Sequence, residues 1–369
     1  MKYFSTQISK KISECVVVLR VGLDVSKEEW KSNPRIPVAA QAIRDARRRA
    51  RAVVVLSHRG RPDLQDSASV EKYTLKPLAS VLSKQCKCDV GFEPSLEQGA
   101  IRERVASLQK GGVVLLENTR LFEGEKDNRV ALGRFWASLG DVYVNDAFSV
   151  SHRNEASLVA VTKCIPSYVG IHLEQELKVL SGVMKKATAP LVVLLGGAKI
   201  SDKVGLIRHF VDHADVILTG GALATTLMAA RGIPVGDSLY EKEALEVARE
   251  WAWHEKVMLP IDVVRHKSAI LDIGQGTVER YRDIVADAGT IIWNGPLGYI
   301  EEKQYTKGTL QLATAIAKSK AHSVVGGGET TSFLVSKKLD RKMSFVSTGG
   351  GAMLCYLGGE KLPALKALG

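Results

Sequence analysis

Long apolar runs are missing from this 369-residue chain. No stretch approaches the roughly 18 residues that a membrane-spanning helix needs. Met1 to Lys11 lacks the apolar core of a secretion signal. Aromatics are scarce at 6%, so platforms for stacking single-stranded nucleic acid have little to be built from. The five cysteines, Cys15, Cys86, Cys88, Cys164 and Cys355, are scattered. An odd, dispersed set makes no disulfide framework and suits reduced thiols. Cys86-Lys87-Cys88 has no second pair or His partner to complete a structural zinc site. Familiar signatures are absent too. Without GxxxxGK[ST] there is no Walker-type loop, and without GxGxxG after a strand a dinucleotide oxidoreductase is weakened. Without GxSxG or HExxH, serine hydrolases and zincins have no foothold. What is left is a cytoplasmic protein with no membrane partner.

What is present is unevenly spread. The formal net charge is +11, with 27 Lys and Arg against 19 Asp and Glu in residues 1–170, and 24 against 21 in 171–369. Glycine runs the other way, with 10 of its 33 residues before position 181. A basic half can mean nucleic acid. The densest run, Arg44 to Arg51, however follows Val38, Ala39, Ile43 and Ala46 at helical spacing and reads as a solvated helix face. A small acidic substrate explains the charge equally well, and no nucleic acid is expected.

Short Val/Ile/Leu runs with little alternation recur along the chain, at Val16–Val21, Ala52–Ser57, Gly112–Leu116, Val142–Asn145, Leu191–Leu195, Val216–Thr219, Val257–Leu259, Thr290–Trp293 and Ser323–Val325. Such runs suit strands buried on both faces. Helix-like stretches such as Glu241–Trp253 and Thr309–Ser319 lie between several of them. The pattern predicts an α/β protein with two doubly wound parallel-sheet domains. The length also fits two domains. Pro166 and Gly170 punctuate the chain, and Leu173, Leu177, Leu180 and Met184 then recur at helical spacing. Residues 172–186 therefore read as a helix joining a first domain, 1–170, to a second, 171–354. The last helix of the first domain is the other reading.

In the second half, four apolar runs end in glycine clusters: Gly196-Gly197, Gly220-Gly221, Gly326-Gly327-Gly328 and Gly349-Gly350-Gly351. Ligands of doubly wound sheets sit outside strand carboxyl ends, and glycine lets backbone N–H groups approach phosphate oxygens. Several such turns in one half predict phosphate or nucleotide binding. Lys199 and Lys203, four apart after one turn, are placed to neutralise a phosphoryl group if a helix begins after Gly197. In the basic half, Arg35, His58, Arg61, Arg120 and Arg153 follow strand-like runs. Guanidinium groups bind carboxylate and phosphate bidentately, so a phospho-carboxylate site is the better joint reading.

These residues carry a resemblance. The stretches SHRGRP (57–62), LLENTR (115–120), VYVNDAF (142–148), GGAKISDK (196–203), LDIG (271–274), WNGPLG (293–298), GGG (326–328) and STGGGA (347–352) resemble the phosphoglycerate kinase family in order and spacing over essentially the whole chain. The resemblance implies two domains facing each other across a cleft, with the C-terminal segment, 355–369, packing back on the first. It implies 3-phosphoglycerate or its acyl phosphate bound by Arg20, Asp24, Arg35, His58, Arg61, Arg120 and Arg153. MgADP or MgATP would lie among Lys199, Lys203, Gly220, Gly221, Asn294, Glu301, Gly326, Gly327, Gly328, Glu329 and Thr330. Glu301 would accept from a ribose hydroxyl and Glu329 would bind Mg²⁺. Arg35, Lys199 and the N–H groups of Gly350 and Gly351 would stabilise the moving phosphoryl. The family is usually monomeric, and no exposed heptad argues otherwise.

The match departs in places. Gly22 stands for an Asp that contacts the glycerate, and Asp24 for an Asn, so the carboxylate has moved two positions along an extended segment. Glu329 stands for the metal-binding Asp, Ala222 for a glycine beside the adenine, Asn154-Glu155 for Ala-His, and Gln275-Gly276 for a Pro-containing turn. These departures leave two other readings open. One is a family member that binds without turning over. The other is a transferase for a different acyl phosphate.

Overall fold

The computed structural model describes residues 1–6, 12–30 and 33–369. The chain divides into two compact units, Met1–Lys178 with Lys361–Gly369, and Val179–Glu360. The first is built on β1 (Val16–Arg20), β2 (Ala52–Leu56), β3 (Gly91–Glu93), β4 (Gly112–Leu116), β5 (Val142–Asn145) and β6 (Ser167–Val169). They form one parallel sheet in the order β3-β4-β2-β1-β5-β6. Every residue of β1 and β2 is buried, as befits strands covered on both faces. The helix Arg35–Arg49 buries Ile36, Ala39, Ala40, Ile43 and Ala46, an apolar stripe at helical spacing. That stripe packs into one core with Val17, Leu19, Val53 and Val55. The chain leaves β1 towards β2 and leaves β5 towards β6, so strand order reverses between β1 and β5. That is where a doubly wound sheet opens a crevice.

The second unit carries β7 (Leu191–Leu195), β8 (Val216–Thr219), β9 (Val257–Met258), β10 (Val263–His266), β11 (Ala269–Ile273), β12 (Thr290–Asn294), β13 (His322–Gly326) and β14 (Phe345–Val346). Six of them make a second parallel sheet, β14-β13-β12-β7-β8-β9, and β10 with β11 forms a separate antiparallel pair. Here strand order reverses between β7 and β12. All strands expected from the apolar runs are present. The ones not foreseen are short edge strands (β3, β6, β14) and the hairpin β10–β11, whose apolar runs of two and three residues are too short to announce strands.

The helix over the expected joining segment runs Ile171–Lys186, and the division between units falls inside it, after Lys178. The C-terminal return begins at Lys361 rather than 355. Residues Gly351–Leu357 instead form a helix packed on the helix Val204–His213 of the second unit. In the return, Ala364 donates its N–H to Ser151 O at 3.1 Å and packs with Ala147, Val150 and Leu158. The chain end thus braces the loop that carries Arg153.

The basic run is a solvent-facing stretch, with Arg47 and Arg48 exposed, that also makes specific contacts. Arg44 donates to Gln85 O at 2.6 Å, Arg47 to Gly111 O at 2.7 Å and Arg51 to Leu108 O at 3.0 Å. Arg49 lies over the Phe4 ring, 5.7 Å from its centroid. These arginines tie the first helix to neighbouring turns by filling carbonyl groups that helix and strand ends leave open. No helix among the described residues is long and apolar enough to cross a membrane.

Candidate functional site

In the first unit the strand carboxyl ends bring together Arg20, the last residue of β1, His58 after β2, Arg120 after β4 and Arg153 after β5. Arg20 is fully buried. Its Nε donates to Ser157 Oγ at 3.1 Å, its Nη1 to Val21 O at 2.5 Å and its Nη2 to His58 Nδ1 at 2.8 Å. It therefore reaches the crevice only through His58. Accepting from an arginine fixes the His58 proton on Nε2, which lies 3.4 Å from Asp24 Oδ2. Burial, with Arg20 and Arg120 nearby, pushes His58 down to about 4, although Asp24 opposes the shift. The ring is neutral at pH 7 and serves as a hydrogen-bonding spacer.

Asp24 also accepts from the Gly60 N–H at 2.8 Å. Burial works against its ionised form, yet the nearby His58 ring, 3.4 Å away, and the hydrogen bond from Gly60 prevail and hold its carboxyl well below the usual range. Its carboxylate is thus engaged within the protein while its side chain stays 35% exposed. Position 22 faces another group: a Cβ on Gly22 would lie 2.9 Å from Ser149 Oγ.

Arg35 opens the helix Arg35–Arg49 and donates from Nη1 to Asp24 O at 2.9 Å. Arg120 donates to Gly60 O at 2.6 Å and to Glu155 Oε1 at 2.8 Å. Arg153 lies 3.5 Å from the same Glu155 oxygen. Arg61 is exposed. The loop bearing Arg120 is held by its own motif. Glu117 accepts from the N–H groups of Leu75 and Asn118 at 2.8 and 2.7 Å. Asn118 accepts from the Arg120 N–H and donates to Arg59 O and Tyr73 O. Glu155 and Ser149 were not among the expected site residues. Each sits beside an expected one in sequence or across the loop, and no spacing rule marks them.

In the second unit the glycine turns work differently from the sequence expectation. Gly196 donates to Asn294 O at 2.9 Å, Gly197 to Pro296 O at 2.8 Å, Gly220 to Leu195 O at 2.9 Å and Gly221 to Leu297 O at 2.8 Å. These N–H groups brace turn against turn and are not offered to a phosphate. Glycine is needed because the turns touch: a Cβ on Gly196 would overlap Pro296 O, and one on Gly221, at φ +59°, would lie 2.9 Å from Gly197 N. The triple glycine after β13 is more open. Gly327 has φ +99°, and Gly328 starts the helix Gly328–Ser336 with nothing within 4 Å of its Cβ position. First-turn N–H groups of such a helix have no partner within it and favour an anion. Beside them the Asn294 Nδ2 is buried with no hydrogen-bond partner, 3.2 Å from a Cβ placed on Gly327. Gly350, at φ +51°, and Gly351 lead into the helix Gly351–Leu357.

A pocket of about 200 Å³ opens between these turns. Leu239, Ile270, Leu297 and Tyr299 give it apolar walls, while Ala222, Glu301 and Glu329 also line it. Asp272 lines it too, accepting from the N–H groups of Ile273 and Gly308 at 2.9 Å. Burial pushes Asp272 up to about 6. It lies within the LDIG stretch yet was missing from the expected site. Thr330 accepts from the Gly295 N–H at 3.0 Å and so holds the turn after β12. Helix formation after Gly197 is delayed: a 3₁₀ turn, Ser201–Lys203, precedes the helix Val204–His213. Lys203 still reaches back, its Nζ donating to Lys199 O at 3.3 Å, and Lys199 is exposed. Gln275-Gly276 opens the helix Gln275–Asp287, where Asp262 accepts from the Gly276 and Thr277 N–H groups.

Among the described residues no three His, Cys, Asp or Glu side chains cluster as a metal site. Burial pushes the Cys86 thiol up to about 12, far from a ligating thiolate. Glu329 offers a carboxylate at the triple-glycine turn. That suits Mg²⁺, which takes one or two carboxylates and completes its shell with phosphates and water.

Fold and sites together define a class. This is a two-unit α/β protein that gathers arginines at strand carboxyl ends of one parallel sheet and an open glycine turn at a strand carboxyl end of the other. The family model for phosphoglycerate kinase matches residues 8–360. A phosphoglycerate kinase of Lactobacillus gasseri is 38% identical over 345 residues, 85% of either chain. One of Pseudothermotoga lettingae is 36% identical over 385 residues, covering 97% of this chain and 96% of its own. The structure of phosphoglycerate kinase from Coxiella burnetii aligns at a TM-score of 0.82 with 32% identity, covering 99% of this chain and 98% of that one. That from Pyrococcus horikoshii aligns at 0.85 with 28% identity, covering 100% and 98%. The chain belongs to the phosphoglycerate kinase family.

Proposed function

We propose that the protein transfers a phosphoryl group reversibly between 1,3-bisphosphoglycerate and ADP, giving 3-phosphoglycerate and ATP. The observation that carries this reading is the buried, unpartnered Asn294 amide beside the open triple-glycine turn, matched in the other unit by arginines at a second switch point. In the forward direction a β-phosphate oxygen of ADP attacks the phosphorus of the acyl phosphate. The P–O bond to the acyl group breaks, and its electron pair leaves with the carboxylate of 3-phosphoglycerate. Nucleophile and leaving group are both ionised at pH 7, so no general base is needed. This agrees with a neutral His58 and an Asp24 already engaged with the protein.

Catalysis is then positioning and charge stabilisation. We assign the phosphate and carboxylate of phosphoglycerate to His58, Arg61, Arg120, Arg153 and Arg35, with Arg20 and Asp24 as braces behind His58. We assign the nucleotide base to the apolar pocket, a ribose hydroxyl to Glu301, and the phosphates to Asn294, Lys203 and the N–H groups at Gly328, Glu329 and Thr330. We assign stabilisation of the transferring group to Arg35 from the first unit and to Lys199, Gly350 and Gly351 from the second. Glu329 would hold Mg²⁺, which would supply charge neutralisation on the nucleotide phosphates. Direct transfer requires both substrates to meet in one water-excluded space. Five free cysteines fit action in the reducing cytoplasm, as a monomer on small-molecule substrates.

The test is coupled ATP formation from 1,3-bisphosphoglycerate and MgADP with purified protein. Turnover is expected, and none above blank refutes the reading. A panel of other acyl phosphates, run in parallel, refutes the substrate assignment if one of them outperforms 1,3-bisphosphoglycerate.

A further inference from the structure

Glu155 places a buried carboxylate where the arginine site offers its charge. Its Oε1 lies 2.8 Å from Arg120 Nη2 and 3.5 Å from Arg153 Nη1. Its Oε2 is buried without a hydrogen-bond partner, and so are the Nε groups of Arg120 and of Arg153. One oxygen is shared by two guanidinium groups while two N–H donors and one acceptor stay idle out of water. Buried polar groups are ordinarily satisfied, and a cluster that is not calls for an explanation. A carboxylate is too small an acceptor for this donor set. A phosphate monoester, with three oxygens and close to two charges, matches it better. The backbone of Glu155 is fixed, its carbonyl accepting from Leu158 and Val159 N–H at 3.0 and 2.8 Å. The side chain alone is left to turn.

We propose that Glu155 is the resident counter-anion of this site. It holds Arg120 and Arg153 while no substrate is bound and yields them to the phosphate of phosphoglycerate, so that it sets the affinity for that end of the substrate. The proposal rests on the assignment of phosphoglycerate to these arginines. It opposes a purely structural role. If Glu155 merely oriented the arginines, neutralising it would weaken anion binding. As a competitor, its neutralisation strengthens binding.

The experiment is calorimetric titration of the wild type, Glu155→Gln and Glu155→Asp with 3-phosphoglycerate and, separately, with inorganic phosphate, at one pH and ionic strength. Glu155→Gln is expected to bind both about 10-fold more tightly, the scale for removing one charge a few ångströms from a bound anion. KM for 3-phosphoglycerate falls in step while KM for MgATP stays put. Glu155→Asp withdraws the same charge by one methylene and is expected to bind about 3-fold more tightly; it decides the matter if Glu155→Gln fails to fold. Unchanged or weaker binding in a folded variant overturns the proposal. If the wild type binds inorganic phosphate but not 3-phosphoglycerate, the substrate assignment fails, and the phosphate ratios still judge Glu155.

Discussion

Glu125 lies behind the arginine site and is fully buried but for 1% of its surface. Its Oε1 accepts from Ser157 Oγ at 2.5 Å, and its Oε2 from the Ser157 N–H at 3.1 Å and Trp136 Nε1 at 3.3 Å. Burial outweighs the hydrogen bonds from Ser157 and Trp136 and the nearby Arg20, and pushes the carboxyl from 4.5 up to about 7. Between those values the native state holds a proton that the unfolded chain has released. The stabilisation is complete below about pH 4.5 and is lost as pH rises through about 7. A displacement of this size corresponds to about 3 kcal/mol. Glu125→Gln reproduces the protonated side chain: an oxygen for the Ser157 N–H and Trp136, and an N–H donor for Ser157 Oγ. The variant is therefore expected to gain about 3 kcal/mol relative to the wild type as pH goes from 4.5 to 7, and nothing further above 7. For a unit of this size that is about 6–12 °C in Tm. His58, pushed down to about 4, has the opposite effect, since its neutral form is stable above about 6.5 and loses ground as pH falls. It is common to both proteins and cancels in the difference. Urea unfolding followed by circular dichroism from pH 4 to 8 measures the gap, and parallel curves for the two proteins would refute the reasoning.

Other outcomes follow from the same geometry. Lys199→Ala and Arg35→Ala are each expected to lower kcat by about 10²-fold, the scale for lost charge stabilisation of a transition state; near-normal steady-state rates in a folded variant remove that residue from its role. Gly327→Ala forces a side chain onto a φ of +99° and puts its Cβ 3.2 Å from Asn294 Nδ2, a strain of about 1–3 kcal/mol. KM for MgADP should rise by about 10-fold with KM for phosphoglycerate unchanged, and an unaltered nucleotide titration contradicts the placement. Glu329→Gln keeps shape and drops charge, so half-maximal activity should require several-fold more Mg²⁺; an identical Mg²⁺ dependence frees Glu329 from the metal.

How much of this was legible in the sequence depends on what each element buries. Central strands such as β1 and β2 are apolar throughout because both faces are covered, and continuous Val/Ile/Leu runs announce them. The strands β9 and β14 have two residues each. Their place in the sheet comes from neighbours rather than from their own pattern, and only the Val257–Leu259 run gave β9 away. The joining helix was visible through Leu173, Leu177 and Leu180, all buried. The point inside it where one unit gives way to the other depends on contacts far away in sequence. The arginine run 44–51 was read correctly as a helix face open to solvent at Arg47 and Arg48, but charge alone does not show that Arg44, Arg47 and Arg51 also cap carbonyls.

The departures from the family pattern show the same limit within the site. Gly22 read alone is a lost carboxylate, and Asp24 read alone is its displaced replacement. In three dimensions the space above Gly22 is bounded by the Ser149 hydroxyl, 2.9 Å from a Cβ placed there, while Asp24 is already engaged by Gly60 and His58. A hydroxyl is neutral and donates as well as accepts, whereas a carboxylate only accepts. Glu155 places a negative charge on the proposed phosphate side of the site. Taken together, the substitutions leave one carboxylate, Asp24, near position 22 and add another, Glu155, beside Arg120 and Arg153. On the proposed assignment, affinity is governed where the guanidinium groups of Arg120 and Arg153 meet the phosphate.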